Sequence, residues 1–316
     1  MVREDLELKL VGAGGERVDL RRTLGSHGVA DLLPNRLDEE SWTLETTLAV
    51  RDRARTLRVV QGRAGHARVE LLDDRTPARE RPTLLAAVRH MLRLDEDLAR
   101  FYALVEEDGD LAWAVSGAGR MLRSPTVFED VVKTVCTTNC AWSGTVRMVT
   151  ALVEHLGVKG RHGSAFPRAS AMAEAPDEFY RDVARAGYRG PYLRAIAAAV
   201  AEGTLDLEEL DGRSDLSDDE VAGRLLALPG VGPYAAAHVM MLLGRYRRLI
   251  LDAWTRPTYA RLTGRKKVSD KTIERRFRRY RDFAGLAFWL YLTRDWVPDQ
   301  PTPRSSSEAR SSAASQ

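Results

Sequence analysis

Four runs between Leu6 and about Leu72, LELKLV, WTLETTLAV, RTLRVVQG and HARVELL, alternate apolar and polar residues with a period of two between turn residues. Strand side chains point alternately to opposite faces, so this pattern predicts a small antiparallel sheet. VDLRRTLGSHGVADLLPN interrupts the runs, and its spacing of Val18, Leu20, Leu24, Leu32 and Leu33 fits either helix or loop.

After the polar stretch DDRTPARERP the period changes, and from Arg81-Pro82 to about Trp296 apolar residues recur at three and four. That spacing predicts a series of helices, among them LLAAVRHMLRLDEDLARFYALV, SPTVFEDVVKTVCTT, SGTVRMVTALVEHLG, DEFYRDVARAG, PYAAAHVMMLLG, AWTRPTYARLTG and TIERRFRRYRDFAGLAFWLYLTRDW. Ser124 is the predicted N-cap before Pro125, and Gly157, Gly187 and Gly203 stand where helices should stop. The expected architecture is α+β, mainly α. A β-rich amino-terminal domain (1–82) precedes a helical domain (83–298), and a Pro/Ser/Ala tail (299–316) is expected to be disordered. No internal repeat of fixed period is visible.

A length of 316 residues accommodates two domains with their own cores, and 44% hydrophobic with 29% charged residues fits a globular protein. The net charge of +3 is too small to identify a nucleic-acid binder, so the placement of the basic residues matters more than their number. Two cysteines, Cys136 and Cys140, cannot build a disulfide framework or a four-cysteine zinc or iron–sulfur site. Simple burial is the expected state of both. The amino terminus is charged and no apolar run approaches the length of a membrane span, so a cytoplasmic protein with no membrane partner is expected.

The most informative stretch is LLALPGVGPYAAAHVMMLLGRYRRLILDAW, residues 225–254. It reads as a helix, a hairpin with two glycines, a second helix, then a short apolar run ending in an acid. Gly230 and Gly232 permit the positive backbone angles of a tight turn, and with Val231 they let the hairpin amides approach a phosphate at the second helix's amino terminus. Such a device holds DNA by its backbone and reads no sequence. A Gly-x-Gly turn between helices is also often only a turn. Twenty residues beyond Gly232 stands Asp252, a lone carboxylate after Leu249-Ile250-Leu251.

These residues resemble the helix-hairpin-helix (HhH-GPD) superfamily of base-excision DNA glycosylases, in which an LPGVG-type hairpin is followed at about this distance by an essential aspartate. FEDVVKTVCTTNCAWSGTVRMVTALVEHLG (128–157), GYRGPYL (187–193) and LRLDEDLARFY (92–102) are similar to further segments of the alkyladenine and 8-oxoguanine branches, in the same order. The resemblance implies a small sheet domain followed by a helical domain. It also implies a monomer that needs no cofactor or metal, binds duplex DNA containing a damaged base, and associates with the nucleoid through that DNA.

It implies, too, that Asp252 is catalytic. An ionised carboxylate beneath the sugar stabilises the positive charge that develops as the glycosidic bond breaks. Asp252 equally suits the N-cap of AWTRPTYARL, and both roles are compatible. Tyr234 stands where bifunctional members carry a nucleophilic lysine, so the expected enzyme is monofunctional and leaves an abasic site, although Lys266, Lys267 and Lys271 are amines nearby in sequence. His238, four residues on, shares a helix face with Tyr234 and by resemblance looks into the base pocket. Packing against the hairpin is its alternative. Phe288 aligns with a base-reading glutamine of the oxoguanine branch, and phenylalanine can stack but not read.

By the same resemblance Asn139, in the loop TTNCAW, fills the space vacated by the flipped base, against the alternative of an ordinary turn former, with Trp142 stacking nearby or packed in the core. In the family the region that corresponds to GSHGVADLLPN lines the pocket, so the resemblance implies that His27 contacts the base, against the alternative of a loop histidine between two useful glycines. RLTGRKKVSDKTIERRFRRYR (261–281) holds ten Lys/Arg, including Lys266 and Lys267, against Asp270 and Glu274. It reads as an electrostatic track for DNA or as a solvated helix face. The leading expectation is a glycosylase for an alkylated or oxidised purine. Its main rival is a non-catalytic helix-hairpin-helix protein that binds lesions without cutting them.

Overall fold

The computed structural model describes residues 5–73, 76–211 and 215–298. Residues 299–316, expected to be disordered, lie outside them. Strands and one short helix come first: β1 Asp5–Lys9, α1 Leu20–Leu24, β2 Arg36–Asp38, β3 Thr43–Val50, β4 Arg53–Gln61 and β5 His66–Leu71. Helices follow: α2 Arg81–Met91, α3 Ala99–Val105, α4 Val127–Thr137, α5 Trp142–Leu156, α6 Ala169–Glu174 and α7 Arg189–Ala201. The last five are α8 Asp218–Leu226, α9 Pro233–Leu242, α10 Thr255–Leu262, α11 Asp270–Phe277 and α12 Ala284–Thr293.

The period-two runs form one antiparallel sheet of order β1-β5-β4-β3-β2. Register pairs Leu6 with Val69 and Val59 with Val69, so alternate apolar residues line up across three strands. Leu57, Val59, Ala67 and Val69 are buried on that face, and α2 lays Leu84, Val88 and Met91 into the same core. Burying each large aliphatic side chain contributes about 1.5–3 kcal/mol. The ambiguous 18–35 run divides into α1 and a 3-10 turn over Gly28–Asp31.

The helices enclose two further cores. One joins α4, α5, α7, α8 and α9 through Val131, Val149, Leu193, Val221 and Val239. The other joins α3, α10, α11 and α12 through Phe101, Tyr259, Phe277 and Phe288. Tyr234, near the start of α9, is half-buried against both, which puts the hairpin helix at their junction.

Four predicted elements differ. DEFYRDVARAG (177–187) forms only a short π-helical turn over Phe179–Val183. The helix expected across 84–105 breaks at Arg93, whose φ is +53° and whose guanidinium pairs with Glu96 at 2.7 Å and donates to the Leu242 carbonyl. The closing helix breaks at Arg281, with φ +52°. The N-cap of α4 is Thr126 rather than Ser124: the Thr126 hydroxyl accepts from Glu129 N, while Ser124 N donates to Asp130 Oδ1 at 2.9 Å.

Candidate active site

The hairpin between α8 and α9 has the form expected, with its two glycines in different roles. Gly230 adopts φ +80°, and a Cβ there would lie 2.7 Å from Cδ2 of Tyr192, so both backbone angle and contact demand glycine. Gly232 does not take a positive φ. It is the extended N-cap of α9 (φ −96°, ψ −177°), exposed, with open space where a side chain would be. Pro233 fills the first helical position, and Val231 is buried beneath the turn. The positive end of the α9 dipole therefore opens to solvent with nothing shielding it, a geometry suited to a phosphate.

Asp252 is half-buried just ahead of α10. Its Oδ1 accepts from Trp254 N at 2.8 Å and Thr255 N at 2.7 Å, and its own N–H donates to Thr255 Oγ1 at 2.9 Å. This reciprocal pairing caps the turn that leads into α10; the helix's own N-cap is Trp254, which makes no side-chain cap bond, so the N-cap expected at Asp252 stands two residues further on. Among the described residues no hydrogen bond reaches Oδ2, which leaves one carboxylate oxygen for another partner. The cap orients the carboxylate without consuming it.

A row of rings runs away from this carboxylate. Tyr234 donates or accepts at 3.4 Å with Thr137 Oγ1, its ring centroid is 6.1 Å from that of His238, and His238 is 5.7 Å edge-on from His27. Burial pushes the Tyr234 phenol up; the Thr137 hydrogen bond opposes this and the Asp252 carboxylate adds to it. Burial lowers His27 to about 3, helped by His238 and Lys133 and opposed by its bond to a backbone carbonyl. His238 is lowered to about 4 by burial. Both imidazoles are therefore neutral at pH 7.

His27 Nε2 lies 2.5 Å from the Leu122 carbonyl, which makes that nitrogen the donor and leaves Nδ1 as a lone-pair acceptor. His27 Nδ1 and His238 Nε2 are both buried without a hydrogen-bond partner. Buried polar atoms are rarely left so, and two of them in one row of rings mark a place where a ligand's polar edge would be held.

The loop that delivers His27 is fixed from several sides. Leu122 N donates to Ser26 Oγ (2.9 Å), Trp289 Nε1 to the Ser26 carbonyl (2.8 Å), and the buried Lys133 to the Leu32 carbonyl (3.3 Å). Trp142, 48% exposed at the start of α5, lies over Gly28, where a Cβ would meet its ring at 3.6 Å. Thus His27, Trp142, Tyr234, His238 and Asp252 come together from four parts of the chain.

Phe288 does not join them. It is fully buried, 5.1 Å from Phe277 and 6.1 Å from Tyr259. The residue of α12 that faces the site is its neighbour Trp289, since one residue turns a helix by about 100°. Trp289 packs with Trp254 at 5.7 Å and Trp296 at 5.9 Å beside the Asp252 cap. Trp289 is itself buried in the α12 core, and the exposed Trp254 and Trp296 carry no motif that marks them in the sequence.

Asn139 is exposed between α4 and α5 with φ +46°, a conformation asparagine tolerates better than most residues. Its amide donates to Tyr188 Oη at 3.3 Å, and Arg189 braces the loop by donating to the Thr138 carbonyl at 2.9 Å. Tyr188 is 51% exposed and meets Tyr192, whose ring covers Gly230. This aromatic link between the α4–α5 loop and the hairpin is carried by GYRGPYL, although nothing in the sequence spacing shows it. Cys140, contrary to expectation, is exposed; its thiol donates to the Cys136 carbonyl, and both cysteines are free.

Lys266 and Lys267 are exposed in the turn between α10 and α11. The cationic excess of 261–281 is partly matched from outside the run, since Arg276 pairs with Asp110 (2.8 Å) and Arg279 with Asp108 (2.9 Å). Among the described residues no helix is long and apolar enough to cross a membrane.

No protein-family model and no curated protein matches the sequence. Solved structures do. The chain is similar to the 3-methyladenine DNA-glycosylase of Archaeoglobus fulgidus, with TM-score 0.68 and 20% identity over 93% of this chain and 100% of that one. It is similar to the apo form of Clostridium acetobutylicum 8-oxoguanine glycosylase/lyase, with TM-score 0.69 and 19% identity over 92% and 96% of the two chains. MBOgg1, solved with a low affinity DNA ligand, matches with TM-score 0.69 and 18% identity over 92% and 96%. At such identities the likeness is one of architecture, and it spans nearly the whole described chain: this protein has the helix-hairpin-helix DNA glycosylase fold.

Proposed function

We propose that the chain is a monofunctional DNA glycosylase that extrudes a damaged purine from duplex DNA and hydrolyses its N-glycosidic bond. The observation that carries the proposal is the half-buried Asp252 carboxylate, oriented by its cap through Oδ1 with Oδ2 left open, beside Tyr234. As the bond from C1′ to the base nitrogen breaks, positive charge grows on the sugar and the carboxylate stabilises it. Water then supplies oxygen to C1′ and its proton goes to the departing base. Tyr234 has no amine and its phenol is held protonated, so it cannot form the Schiff base that strand cutting by this route requires.

The remaining residues take supporting roles. Gly230, Val231 and Gly232 hold a backbone phosphate at the α9 amino terminus, and Lys266 and Lys267 add sequence-independent attraction. Asn139 fills the gap left by the extruded base. Trp142 and Tyr234 stack on that base, and the free nitrogens of His27 and His238 pair with its edge. The fold likeness supports this reading, since the similar structures are described as 3-methyladenine and 8-oxoguanine glycosylases. Duplexes each carrying one lesion (oxoguanine, methylated purines, hypoxanthine or uracil) test it: base release is expected for at least one purine lesion, with strand breakage only after alkali. Release from none, or a borohydride-trapped covalent adduct, would overturn it.

A further inference from the structure

A polar cavity of about 460 Å³ lies toward the other end of α10 from Asp252. Three guanidiniums line it, Arg265, Arg275 and Arg276, together with Thr263, Thr272 and the ring of Tyr291. No Asp or Glu is among its lining residues. Arg276 is held rigidly, donating to Asp110 at 2.8 Å and to the Tyr259 hydroxyl at 3.3 Å while lying 4.5 Å over the Tyr291 ring. Arg265 and Arg275 are exposed, and among the described residues neither has an acidic partner. The nearest acid in the α11 cap, Asp270, is already taken by both arms of Arg256 at 2.7 and 2.9 Å.

We propose that this cavity is a phosphate-binding site. Planar guanidiniums with free donors match the oxygens of a phosphate, the Thr272 hydroxyl adds a donor, and the cavity has room for a phosphate ester. The eight residues of α10 separate it from Asp252, about 12 Å at 1.5 Å per residue. Strand rise in DNA is about 3.4 Å per nucleotide, so a phosphate there belongs either to a nucleotide some three steps from an extruded base or to a separate small molecule. The first alternative rests on the function proposed above; the site itself does not.

Isothermal titration of inorganic phosphate at low ionic strength into the full chain and into the double variant Arg265→Ala/Arg275→Ala tests the site. The variant is expected to bind one phosphate fewer per chain than the wild type. A parallel titration with an undamaged duplex at several salt concentrations identifies the source. If the duplex backbone fills the site, the slope of log affinity against log salt falls by about 1 in the variant. If only the phosphate titration changes, the site serves a free phosphate or nucleotide instead. Identical behaviour of variant and wild type in both titrations would overturn the proposal, whether or not the chain releases any base.

Discussion

Asp252 and Thr255 exchange hydrogen bonds across the first turn of α10, Thr255 N to Oδ1 at 2.7 Å and Asp252 N to Thr255 Oγ1 at 2.9 Å. One residue thereby closes the turn that leads into α10, and its carboxylate is aimed by that turn. Thr255→Val keeps the shape and removes the hydroxyl. Loss of a cap bond costs about 1 kcal/mol of stability. Base release measured under single turnover is expected to slow while duplex binding holds, because the Asp252 N–H loses its acceptor and the turn that aims the carboxylate loosens. A variant that melts lower but reacts at the wild-type rate would separate the cap from the chemistry.

Stability should depend on pH through the two buried histidines. Unfolded, each titrates near 6.5; folded, burial holds His27 at about 3 and His238 at about 4. Between about 4 and 6.5 the unfolded chain binds more protons, so their contribution is full above 6.5 and is lost as pH falls through that window. His238→Gln is expected to flatten the rise in urea midpoint between pH 4.5 and 7. An unchanged slope would mean that His238 is not held neutral.

Neighbouring residues on α12 should behave differently. Phe288→Leu opens space in a packed aromatic core and is expected to cost about 1–3 kcal/mol with unchanged release per folded molecule. Trp289→Phe leaves the Ser26 carbonyl without its 2.8 Å donor and loosens the loop that carries His27. Release is expected to fall more than stability does. Urea melts paired with single-turnover rates would show whether the two effects divide this way.

That pair also marks where the sequence stops being legible. The sheet was readable because each strand has one covered face, which imposes a period of two. The hairpin and Asp252 were readable because turn chemistry and a lone acid after an apolar run are local signals. In α12, AGLAFWLYLT, nearly every position is apolar, so periodicity carries no phase and Phe288 could not be told from Trp289. Arg93 breaks its helix through a bond to a carbonyl 149 residues away, and His27 meets His238 only through tertiary folding. Neither contact leaves a mark in local spacing.

The hairpin offers a substitution with effects of opposite sign. Gly232 is an extended N-cap with open space around its missing side chain, so Gly232→Asp is sterically free and supplies a favoured cap. Thermal stability should hold or rise slightly. DNA affinity is expected to drop by an order of magnitude or more, since a carboxylate would occupy the place of the phosphate. Retained affinity would remove the hairpin from the interface.

The most direct measurement compares wild type with Asp252→Asn for base release and for duplex binding on whichever lesion the wild type excises. Asparagine caps a helix about as well as aspartate, so fold and binding should persist. Release is expected to fall by at least about 100-fold, the scale on which a single electrostatic stabiliser acts. Release at the wild-type rate would contradict the assignment of Asp252 as the catalytic carboxylate.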